Sequence, residues 1–198
     1  MSYRWKRVIF GMSLLFFLFT GSCVAQAVQD GFTLDKQIKS RYFTIYVKNG
    51  VDLERLAMKV AVPPSIKAII RSSTAGFQAD RLGDQLDLLY LAVYEILETH
   101  LKQFQSSAKV CDNTQCLSDV AKRLFGQEIK SGGFYVVALD TLYIDSDNVT
   151  LNILGHELAH AVLTKYFVVP PSERIQEVLA GYVEYQLRKY TQTQPLGG

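Results

Sequence analysis

The chain has 198 residues, 48% of them hydrophobic and 20% charged, a balance that suits one globular domain and excludes a disordered or low-complexity protein. No internal repeat appears. Residues 1–27 contain three bases and no acid, so the remainder holds 18 Lys and Arg against 19 Asp and Glu, net −1; the +2 of the whole chain gives no ground for a nucleic-acid partner.

At the start, Arg4, Lys6 and Arg7 precede an uncharged apolar run over residues 8–19, and small residues with Ala25-Gln26-Ala27 follow. This is the pattern of a secretory signal peptide, cut after Ala27; twelve apolar residues fall short of the roughly 20 that span a bilayer. Lipid attachment at Cys23 is the alternative, although Thr20 stands where a lipobox has leucine. Both readings export the protein, to the periplasm, the cell surface or the medium, and limit membrane contact to a lipid anchor or an uncleaved signal. Cleavage discards Cys23 and leaves Cys111 and Cys116, an even pair expected to form a disulfide. A thiolate metal site is the alternative, but no other Cys or His lies near them in sequence.

Residues 28–39 read as a linker to a domain over 40–190. "RYFTIYV" (41–47) is rich in aromatic and β-branched residues and reads as a strand, with "KNG" as its turn. "VDLERLAMKV" restarts at helical spacing until Pro63 and Pro64 interrupt, and 65–76 is ambiguous. From Leu82 to Phe104, apolar residues recur every three or four positions and predict one long amphipathic helix. His100 lies beside that stripe and reads as a surface or satisfied core histidine. A short helix is expected over 117–125, stopped by Gly126. A hairpin of two short strands follows over 134–145, turning near 139–141. Asp147 or Asn148 would cap a helix over 149–167, and Asn148 also opens an Asn-Val-Thr sequon. A last helix would run from Pro171 or Ser172 to about Tyr190, leaving 191–198 as a tail. The fold class is therefore α+β with a small mixed sheet.

Two of the three histidines sit in "HELAH", His156 and His160, four apart. On a helix these share a face and can aim imidazole nitrogens at one point, as a zinc ion requires. Glu157, about 100° round from His156, can reach a zinc-bound water and act as its general base. Two imidazoles buried for packing alone would need other partners. The last helix offers Glu173, Glu177 and Glu184 along one side, with Ala180 and Gly181 allowing close approach to the HELAH helix. Glu177 would be the third ligand, Glu184 an acceptor for a histidine N–H, and Glu173 a solvated charge.

"HELAH" followed by "IQEVLAGYVEY" resembles the gluzincin metallopeptidases, in particular small peptidase MA-like domains. "RYFTIYV" and "GGFYVVALDTLYID" resemble the first strand and edge hairpin of that zincin-like fold. The resemblance covers about residues 40–60 and 130–187 and is specific at the two metal motifs. Gln176 replaces the usual asparagine and Val178 the usual glycine, no acid lies four after Glu177, and the gap between motifs is shorter than in thermolysin. The resemblance implies one zinc on His156, His160 and Glu177, with Glu157 as base, and hydrolysis of a peptide or protein substrate laid along the hairpin by backbone pairing. The oxyanion donor would come from Tyr182, Tyr185 or Tyr166. The short segment after Glu184 implies a compact, shallow-clefted enzyme or one that needs a protein partner. A protein of another class, an envelope binding protein keeping the fold without cleavage, fits the same residues.

Overall fold

The computed structural model describes residues 30–191 except 73, 100 and 102. The expected signal peptide over 1–27, Cys23, His100 and the tail beyond 191 lie outside the described residues. Five strands form one mixed sheet in the order β1-β2-β3-β5-β4. They are β1 (Lys36–Lys39), β2 (Phe43–Val47), β3 (Ser106–Cys111), β4 (Gly133–Val136) and β5 (Thr141–Asp145). β2, β3 and β5 run parallel, whereas β1 and β4 are antiparallel edges. Six α-helices accompany the sheet among the described residues: α1 (Leu53–Lys59), α2 (Pro64–Lys67), α3 (Leu82–Ile96), α4 (Thr114–Phe125), α5 (Leu151–Tyr166) and α6 (Glu173–Thr191). The protein is thus α+β, as its patterning predicts.

Alternation in β2 buries Phe43, Ile45 and Val47 on one face, where Ala108 and Val110 of β3 and Leu142 and Ile144 of β5 join them. α3 and α5 cover that face. On the other side α4 lays Leu117 and Val120 over Phe134 and the fully buried Tyr143. Lys109 and Tyr143 there both donate to the carboxylate of Asp30.

Several boundaries differ from expectation. The segment read as a linker contributes β1, whose Ile38 pairs with Ile45; a short polar strand has stability only through such pairing. β3 reads as polar, yet it is central, because Ser107 and Lys109 face the thinly covered side while Ala108 and Val110 face the core. The long helix stops at Ile96. Glu98 turns left-handed (φ 51°), its N–H donating to Glu95 and that of Thr99 to Tyr94, the paired bonds of a Schellman end. Leu101 and Phe104 nevertheless reach the same core from the loop, Phe104 stacking on Tyr90 at 4.1 Å. α4 begins at Thr114, three residues early, because Asn113 accepts from the Cys116 N–H at 2.9 Å; Gly126 (φ 74°) ends it in the left-handed conformation. Thr150, not Asp147 or Asn148, caps α5 by accepting from Ile153 N–H. Asp147 and Asn148 instead donate to the buried Asp145 carboxylate that closes the preceding turn. Cys111 and Cys116 are joined as a disulfide, their Cα atoms 5.7 Å apart.

Candidate metal centre

α5 and α6 form an antiparallel pair, and their meeting builds the site. The small residue that permits it is Gly155: a β-carbon there would lie 2.0 Å from Leu187 Cδ1. Gly181, expected to serve this purpose, faces open space, while Ala180 is buried. For Gly181 the expectation erred because helix spacing gives an arc but not the direction of the neighbour.

With the helices so placed, His156 Nε2 and His160 Nε2 lie 3.3 Å apart. Glu177 brings Oε2 to 3.5 Å from the first and Oε1 to 3.3 Å from the second. One ligand atom from each residue falls within 4.8 Å of the others. A zinc ion bound at about 2.0–2.1 Å in tetrahedral geometry sets its ligand atoms roughly 3.3 Å apart, so the donor set fits that ion in type and spacing. Burial, then the neighbouring His156, holds the His160 pKa below its ordinary value against Glu177 and a hydrogen bond with Gln176. A neutral imidazole is the form that ligates. Gln176 is itself fixed by donating to the Pro171 carbonyl at 2.9 Å.

His156 Nδ1 is buried without a hydrogen-bond partner, while Glu184 Oε2 faces it at 3.5 Å. That separation counts as an ion-pair contact but is too long for a good hydrogen bond; closing it by a few tenths of an ångström would orient the ring. Arg188 holds the other Glu184 oxygen, with Nε at 3.2 Å and Nη2 at 2.6 Å.

Glu157 leaves the metal-facing arc and accepts from the Tyr135 backbone N–H of β4 at 2.9 Å. Burial pushes its pKa up to about 7; Glu177 and Glu184 add to the rise, and the Tyr135 N–H opposes it. The hairpin carrying that N–H is tied to the far end of α5. Asp140 (φ 46°) accepts from Tyr135 Oη at 2.9 Å and from Lys165 Nζ at 2.6 Å.

The structure therefore brings together His156, Glu157, His160, Glu177 and Glu184. It does not bring Tyr182 and Tyr185 to them. Both stand exposed, about 140° and 80° round α6 from Glu177 at 100° per residue, and Tyr166 is exposed as well. Sequence reasoning misses three participants. Gln176 carries no signal beyond its departure from a family pattern, Arg188 has an i,i+4 spacing from Glu184 as its one signal, and the Tyr135 N–H leaves no signature in residue type. No protein-family model, curated protein or solved structure matches the chain.

Proposed function

We propose that the protein is an exported zinc-dependent metallopeptidase with a gluzincin-type, peptidase MA-like site on a zincin-like fold. The observation that carries this reading is the spacing of His156, His160 and Glu177 as edges of one ligand tetrahedron, beside the half-buried Glu157 carboxylate, whose pKa is raised to about 7. A bound zinc supplies a Lewis acid and a water acidified to a pKa of about 7.

His156 and His160, as neutral imidazoles, and Glu177 are the three residues that would hold the ion. Glu184 faces His156 Nδ1 at 3.5 Å and would fix its tautomer on closing that gap, with Arg188 anchoring the carboxylate. Glu157 takes a proton from the attacking water and returns it to the leaving amine; the Tyr135 N–H keeps its carboxyl directed during both transfers. β4 is an outer strand, so one row of its backbone groups faces away from β5 and can pair with an extended peptide.

A second reading is an envelope binding protein that keeps the fold and metal without cleavage, favoured by one observation: the tyrosines expected to supply an oxyanion donor face outward. Elemental mass spectrometry of the purified protein, joined to an assay of pooled unstructured peptides with and without chelator, separates these. One zinc per chain with chelator-sensitive cleavage is the expected result. Zinc without cleavage selects the binding protein, and absence of zinc in folded protein offered the metal removes the peptidase and leaves a binding protein without its metal.

A further inference from the structure

α6 has two apolar faces. Ala180, Val183 and Leu187 are buried, with Val183 and Leu187 against Gly155 of α5. On the other side Ile175, Val178, Tyr182 and Tyr185 remain 46–66% exposed. Their spacing of three, four and three residues makes one stripe along the helix. In the connection just before α6, Phe167 is exposed, Val168 fully exposed at 102% and Val169 at 81%. Soluble monomers seldom leave a long contiguous apolar tract facing water without a use for it.

Charge indicates what covers this face. At about 100° per residue, Lys189 lies within the arc that carries the stripe and Arg174 about 20° beyond its edge, with no acid in that arc. Glu173, Glu177 and Glu184 cluster within roughly 40° of one another on the metal-facing side. Cations without acids complement an anionic surface. Tyrosines, apolar in the ring and polar at the hydroxyl, suit the boundary between hydrocarbon and water. A tip of consecutive bare aliphatic side chains requires a partner that can be penetrated, which a lipid interface is.

We propose that the outer face of α6 and the 167–169 tip form a docking surface for an anionic lipid bilayer. The tip enters the interfacial region, and Arg174 and Lys189 meet headgroup phosphates. This does not rest on the metal reading. If both hold, the ligand cluster opens to the side of the docked face, because Glu177 lies about 120° round α6 from the centre of the stripe.

The test places one indole at the tip. The chain has a single tryptophan, Trp5, so the full chain carrying Trp5→Phe and Val168→Trp reports only from position 168 whether or not its leader is removed. With vesicles rich in phosphatidylglycerol, its emission should shift to the blue and be quenched by lipids brominated high in the acyl chain. Arg174→Glu with Lys189→Glu should weaken this binding by on the order of tenfold or more, and Val169→Asp should abolish the shift. These positions are exposed, so circular dichroism should show every variant folded. Water-like emission with all vesicles overturns the proposal, including the case in which the chain sediments with lipid through another segment. So does a stable dimer, seen by light scattering without lipid, that Ile175→Glu disperses, because a second copy would then cover the stripe.

Discussion

Glu157 is under two opposing influences. Burial and two nearby carboxylates favour its protonated form, while the Tyr135 N–H favours the ion. Replacing it with glutamine retains an acceptor for that N–H and removes only the titrating oxygen. Glu157→Gln should therefore keep its zinc, measured by elemental analysis, while peptide cleavage falls by about 10²–10⁴-fold; turnover near wild type would take Glu157 out of the mechanism. Asp30 presents a different balance on the far side of the sheet. Burial raises its pKa, but hydrogen bonds from Lys109, Tyr143 and the Phe32 N–H more than offset this and hold it below the ordinary 3.8. A depressed carboxyl contributes stability above its unfolded pKa and loses it as the pH falls through the folded one. Asp30→Asn should cost on the order of 2 kcal/mol at pH 7, and the gap from wild type should narrow as the pH drops below about 4. Urea unfolding at neutral and acid pH measures both. At this scale the convergence of His156 and His160 was legible because two histidines at i,i+4 spacing share one face of a helix. The acceptor that steadies Lys109 was not, since nothing local connects Asp30 to a strand almost eighty residues away.

Among the elements, the α5–α6 contact decides whether three ligands converge. Gly155→Ala would gain about 1 kcal/mol of helix propensity, but its methyl group would meet Leu187, which is fully buried and has little room to turn. Overpacking of this kind costs about 1–3 kcal/mol, so the variant should melt a few degrees lower, and its zinc affinity should fall because α6 is levered away from α5. Unchanged melting and affinity would show that Leu187 repacks freely. Elements with a strong period were readable: β2, the hairpin and both site helices fall within a few residues of their expected spans. Those whose stability is borrowed were not. β1 and β3 hold few large apolar residues and exist through their pairing, while the apolar period after Ile96 continues in a loop that packs as the helix would have done. Gln85 and Asp87 also look like solvated helix positions. They are buried, because Asp87 accepts from Arg41 N–H, Tyr42 N–H and Ser40 Oγ, and Gln85 from Val62 N–H.

For the molecule as a whole, the proposed ligands lie on two helices that otherwise meet through packing and the polar contacts of His160 with Gln176 and His156 with Glu184, so a bound metal should act as a fastener. A ligand at a hundred times its dissociation constant adds about 2.7 kcal/mol. Zinc added to metal-free protein should then raise the melting temperature by about 5–10 °C, at about 2–4 °C per kcal/mol for a domain of this size. Glu177→Ala should remove most of that rise; a full rise without Glu177 would move the third ligand elsewhere. The parallel strand order has a kinetic counterpart. Phe43 pairs with Ser106 and Ser107 with Thr141, so the sheet waits on closure of long loops, which slows folding. His156, His160 and Glu177 are close neighbours along the chain by comparison. The α5–α6 hairpin can thus gather its three ligands before the sheet has closed, and capture of the ion would precede the arrival of the Tyr135 N–H at Glu157. Under the proposed function, the chain would in that order acquire its metal first and its reactivity last, when the edge strand docks.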